Sequence, residues 1–147
     1  MPTAARLFAA VFLAIAAMMA TTVAQVFQPE AAKGGEDLFW YMGAVGLVIG
    51  WLSLGRRVMD PETSYFGNGV AATVAVFIYG IVFMALYEVG DNMRFHLYRE
   101  PMDAVLAAVN RFMEYSATAL DIRVVLAAFT GAILAAYFAR FVGYFWR

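Results

Sequence analysis

LFAAVFLAIAAMMATTVAQVF, Leu7 to Phe27, runs for 21 residues without a charge. A helix rises about 1.5 Å per residue and a bilayer's hydrocarbon core is about 30 Å thick, so roughly 20 apolar residues cross it once. This stretch has that length, and it sets the reading of everything after it. One rival reading competes. Arg6 precedes the run, and Thr22-Val23-Ala24 before Gln25 has the small residues of a leader-cleavage site. The run, however, exceeds the ~7–15 residue apolar core of a signal peptide. We expect a retained helix.

Three more stretches have the same character. LFWYMGAVGLVIGWLSL covers Leu38 to Leu54, and GNGVAATVAVFIYGIVFMALY covers Gly67 to Tyr87. The last is uncharged from Val124 to Ala139 and reaches spanning length, about 122–144, when Arg140 extends its long stem to the headgroups. Composition agrees. The chain is 64% hydrophobic and 14% charged, against ~45–50% and ~25% in soluble domains. At 147 residues it cannot hide that excess in one core. The expected fold is an all-α integral membrane protein, one domain over 1–147, with four transmembrane helices near 7–27, 38–54, 67–87 and 122–144, and the lipid bilayer as its first partner.

The span ends carry their own signals. Trp40 opens the second span, Trp51 closes it, and Trp146 follows the fourth. Tryptophan favours the headgroup level, where one end of its ring is apolar and the other polar. Arg56, Arg57 and Arg140 are the charged anchors beside them. Arginines close to span ends stay cytoplasmic. Arg6, the Arg56-Arg57 turn, Arg140 and Arg147 therefore put both termini inside. The Glu30–Asp37 loop and the connection from Glu88 to Arg123 fall outside. Lys and Arg divide equally between the sides, five each, so the acids of the outer connections break the tie.

The long connection contains a fifth element. In PMDAVLAAVNRFMEYSATALD, Met102, Val105, Leu106, Val109, Phe112 and Met113 recur at helical spacing. Asp103, Asn110, Arg111 and Glu114 fall elsewhere on the wheel. Pro101 suits a first helical turn. The pattern predicts an amphipathic interfacial helix over 101–119, between the third and fourth spans. Its apolar face is a candidate docking surface for a partner helix.

Between the third span and that helix stands EVGDNMRFHLYRE, residues 88 to 100, with the only histidine, His96. Glu88, Asp91 and His96 are the candidate polar site. A catalytic zinc site uses three protein ligands, commonly two or three of them His, so this set falls short of one. A solvated elbow, frayed from the third span and broken at Pro101, accounts for the charges.

Other chemistry finds little purchase. There is no cysteine, hence no disulfide, thiolate site or thiol nucleophile. Haem would want two axial ligands, and one His is present. A net charge of −1 makes no nucleic-acid footprint. No ionisable residue falls at the middle of a span, where ion-coupled transporters keep one. We expect no cofactor, no metal and no enzyme. The glycines of GAVGLVIG lie inside a span rather than after a strand, so they form no phosphate loop. Gly43, Gly46 and Gly50 instead leave a flat strip for close helix packing, a use also open to Gly67, Gly69, Gly80 and Gly131.

Together, the opening MPTAARLFAA, the FQPE after the first span, the FWY…GLVIGW…GRR block, the GNGV start of the third span and the Arg- and Trp-rich end resemble the TrgA family. That is a group of small inner-membrane proteins linked by name to tellurite resistance. The resemblance covers most of the chain and lies in span ends and loops, not in a catalytic signature. It implies a four-helix protein of the inner membrane, cytoplasmic or intracytoplasmic, of an alphaproteobacterium, with no catalytic residues to carry across. Handling tellurite directly would be easiest with thiols, so the expected link to tellurite resistance is indirect. Two other functions stay open. One is an accessory subunit of a larger respiratory or photosynthetic complex, held by other membrane subunits. The other is a small channel formed by self-association and lined by polar groups such as Ser53, Asn68, Thr73 and Thr130.

Overall fold

A computed structural model describes residues 3–29, 35–57, 64–94 and 101–145. All the regular structure in these residues is helical. Helix α1 is Thr3–Phe27 and α2 is Gly35–Ile49. Without a break, α2 passes into a π-helical turn, Gly50–Leu54, and a last turn, α3, Gly55–Arg57. Then come α4, Tyr65–Arg94, α5, Pro101–Ala119, and α6, Ile122–Phe145.

Four stretches are long and apolar enough to cross a membrane: Arg6–Phe27, Asp37–Arg57, Phe66–Arg94 and Ile122–Phe145. Two exceed their expected bounds. The second continues through the π turn to Arg57. The third runs on to Arg94, so residues 88–94 are helix and not a frayed end. The reason is local: Val89 is buried against the bundle and Glu88 is held from α5, so this last part of α4 has partners.

The packing inverts that of a soluble protein. The buried residues are mostly alanines: Ala9, Ala10 and Ala17 on α1, and Ala132, Ala136 and Ala139 on α6. Among the described residues only Leu13 and Leu54 are large and fully enclosed. The bulky apolar side chains, among them Met19, Ile78, Phe83, Leu134 and Phe141, face outward. In water that arrangement would be costly, since burying large apolar groups is the main drive to fold. In lipid the tails are as apolar as the side chains, so helices gain by bringing their backbones close.

Helix α1 is the hub. On one side it meets the glycines of α2. A Cβ on Gly50 would lie 2.6 Å from the Ala10 Cα, and one on Gly46 would lie 2.9 Å from the Ala14 Cα. One on Gly43 would strike the Met18 side chain. The order of these contacts makes α2 antiparallel to α1. On its other side α1 meets the alanine face of α6, with Gly131 against Ala16 and the Phe12 and Phe138 rings stacked at 5.3 Å. Helix α4 closes on α6 through Gly69 and Ile133. Gly67 serves no such contact: it is exposed, and its nearest foreign atom is the Ser64 Cβ at 3.9 Å.

Candidate functional site

Glu88 lies near the C-terminal end of α4, four residues past the buried Met84. Its carboxylate meets two donors from α5. The Arg111 Nη2 is 2.9 Å from Oε1, and the Tyr115 hydroxyl donates to Oε2 at 2.9 Å. Arg111 also reaches Glu114 Oε2 at 2.7 Å, one turn along its own helix. Burial, and then the hydrogen bond to Glu88, push the Tyr115 phenol up to about 12. The neutral hydroxyl is the form that donates.

These contacts determine how α5 is turned. Ala104, Arg111, Tyr115 and Thr118 recur at helical spacing and form the inner face, with Ala104 and Thr118 buried. The apolar stripe is therefore on the other side. Met102, Val105, Leu106, Val109 and Met113 are 53–64% exposed. A soluble helix would bury such a stripe. Here Ala104, Arg111, Tyr115 and Thr118 dock on the bundle, Asp103, Asn110 and Glu114 stay exposed, and the apolar stripe is presented outward.

The junction beyond α5 is also tied. Asp121 Oδ1 accepts from the Arg123 backbone N–H at 2.8 Å, a capping interaction for α6. Its Oδ2 accepts from Gln28 Nε2 at 2.8 Å, joining the end of α1 to the start of α6. The Arg123 guanidinium stands 4.4 Å from the centre of the Phe27 ring. The Arg123 N–H, and then Gln28, hold the Asp121 carboxyl below its ordinary value.

The residues singled out from the sequence are dispersed. Asp91 is half-buried on α4, three residues past Glu88. His96 lies outside the described residues, as does Trp146. Among the described residues no three His, Cys, Asp or Glu side chains converge as a metal site would require. Trp40 is exposed near the start of the second span, Trp51 is exposed six residues before its end, and Arg56 and Arg57 are exposed where it ends. Arg140 is half-buried on α6. Glu88 is a correction to the solvated elbow: it is a helix-to-helix anchor. Its partners, Arg111 and Tyr115, were not legible as such, because only the pairing of α5 with α4 brings them to it.

Within the single chain the polar groups weighed as channel lining have different surroundings. Thr73 is buried and donates to the Gly69 carbonyl at 2.9 Å, within its own helix. The Asn68 side chain donates to the Arg57 carbonyl at 3.2 Å. Thr130 is exposed on α6, and Ser53 lines a groove between α2 and α4.

Comparison of the chain with protein-family models, with curated proteins and with solved structures finds no match.

Proposed function

We propose that this is a non-enzymatic inner-membrane protein of the TrgA kind, working by lateral association with another membrane protein as an accessory subunit. Its bearing on tellurite resistance is then indirect, through that partner or through the envelope. One observation carries the reading: α5 docks on the bundle through Ala104, Arg111, Tyr115 and Thr118 and leaves its apolar stripe uncovered. Contiguous exposed apolar surface beside polar anchors is what membrane and partner contacts use. On this reading α5 is an interfacial helix, and the stripe is the surface that a partner covers.

The test is purification of the tagged protein in mild detergent, beside a Val105→Glu/Val109→Glu variant. A partner in fixed proportion to the wild type, and lost from the variant, supports the subunit reading. A wild type that travels alone, or a variant that keeps the same company, overturns it.

A further inference from the structure

Tyr41 on α2 and Tyr87 on α4 bring their rings together, with centroids 4.6 Å apart and planes tilted by 47°. The packing beside them holds the pair. Leu38 packs on the buried Met84, and Met42 lies across Gly80, so the two helices run antiparallel here. Each ring keeps an open side, 39% exposed for Tyr41 and 47% for Tyr87. Tyr41 lies four residues inside Asp37, about 6 Å along its helix, and Tyr87 immediately precedes Glu88. Both phenols therefore stand where an apolar span meets charge, the level at which tyrosine faces lipid headgroups.

Phenols give up a hydrogen atom to radicals, and no thiol of this chain competes, because it has no cysteine. A phenoxyl radical ordinarily meets a second one only by diffusion. Here the second ring is already in contact, so coupling becomes a unimolecular step. Two rings joined through their ortho carbons have centres only slightly closer than these, and they are twisted against each other, as these are. The neighbouring charges select the oxidant. The Asp37 and Asp91 carboxylates act on Tyr41 and disfavour the approach of an anionic one. A lipid peroxyl radical is neutral and forms in the bilayer beside the rings.

We propose that Tyr41 and Tyr87 form an oxidative cross-linking site, at which lipid peroxyl radicals join the two rings and tie α2 to α4. Each of two peroxyl radicals takes one hydrogen atom from one phenol and leaves as a lipid hydroperoxide. The two phenoxyl radicals pair their electrons in one new bond between ortho carbons. The hydrogens on those carbons then move to the oxygens, which restores both phenols. Two chain-carrying radicals are consumed, and no phenoxyl radical is left to start another chain. The site does not depend on α5 or its partner.

The full chain is placed in vesicles of linoleoyl phosphatidylcholine, and a lipid-soluble azo initiator starts peroxidation in air. Digestion and mass spectrometry are expected to find the Tyr41 and Tyr87 peptides joined with the loss of two hydrogens, and dityrosine fluorescence to grow in step. Tyr41→Phe and Tyr87→Phe are each expected to lower the dityrosine yield about tenfold. Tyr79→Phe, at an exposed tyrosine eight residues earlier on α4, is expected to leave it unchanged. Melting curves of the variants check that the bundle is assembled. A yield that holds as the protein is diluted in lipid supports coupling within one chain. A yield that falls with dilution, or a product that runs as a dimer, makes the link intermolecular and overturns the proposal. So does a wild type without the joined peptides, or a yield that neither Tyr41→Phe nor Tyr87→Phe lowers.

Discussion

The Glu88 carboxylate and the Arg111 guanidinium meet at 2.9 Å across two helices, with side chains 27% and 43% exposed. A pair this wet contributes little to stability, ~0–1 kcal/mol. Its consequence is rotational. Glu88 uses one oxygen for Arg111 and the other for Tyr115, and those residues lie on one face of α5. Holding both fixes which side of the helix meets the bundle, and therefore which side faces out.

Removing that anchor should loosen α5 and leave the four long helices intact. In Glu88→Ala the half-buried Tyr115 hydroxyl loses its acceptor, at a cost of about 1 kcal/mol. Amide exchange in α5 should then rise roughly fivefold, with α1 and α6 unchanged. Glu114→Ala is the control. Glu114 pairs with Arg111 inside the same helix, where such a pair is worth only ~0.2–0.5 kcal/mol. Unaltered α5 protection in Glu88→Ala would mean that packing alone docks the helix.

Much of this fold was legible in the chain. An uncharged run of spanning length has few alternatives, so the four long helices could be placed from Leu7, Leu38, Gly67 and Val124 onward. Gly43, Gly46 and Gly50 could be read as a strip because glycine at helical spacing has few other uses inside a span. The alanines of α1 and α6 escaped notice. Alanine favours helix everywhere, so its pattern does not announce which face is inside. Arg111 and Tyr115 escaped for another reason. Their meaning depends on Glu88, which reaches them only through tertiary packing, and a charge at a span end looks the same whether it is solvated or paired.

Docking of α5 should weaken in strong alkali. The Tyr115 phenol titrates at about 12 when docked, above the ordinary value of ~10. Between those values a detached α5 loses the proton while the docked one keeps it. The docked state binds more protons, so its stability falls as pH rises through that window. The absence of cysteine permits a single engineered spin-labelling site on α5. Label mobility should rise above pH ~10. The difference in tyrosinate absorbance between wild type and Tyr115→Phe should titrate near 12; a midpoint near the ordinary value would contradict the burial of the hydroxyl together with its hydrogen bond to Glu88.

The tie between α1 and α6 should have the opposite dependence. The folded carboxyl of Asp121 lies below its ordinary value because Arg123 N–H and Gln28 donate to its charged form. That contribution is complete above the ordinary carboxylate range and is lost as pH falls through the lowered value. Protection of the Arg123 amide, corrected for intrinsic exchange, should decline in acid. Asp121→Asn should keep the cap, since Asn serves there as well as Asp, and should remove the acid dependence. Persistence of that dependence in Asp121→Asn would assign it to another group.

Two glycine-to-alanine changes should move stability in opposite directions. Alanine favours a helix over glycine by ~1 kcal/mol, so an unobstructed position gains. Gly90 on α4 is such a position, with nothing within 4 Å of where a Cβ would stand. Gly50 is not, because its Cβ would lie 2.6 Å from the Ala10 Cα and 2.7 Å from the Ala9 carbonyl oxygen. Both are backbone atoms of the central helix and cannot swing aside, so α2 must move away from α1. Overpacking of this kind costs ~1–3 kcal/mol. Denaturation in detergent should show Gly90→Ala at least as stable as the wild type and Gly50→Ala clearly less so. If Gly50→Ala were neutral, α1 and α2 would not be in backbone contact, and the hub position of α1 would have to be abandoned.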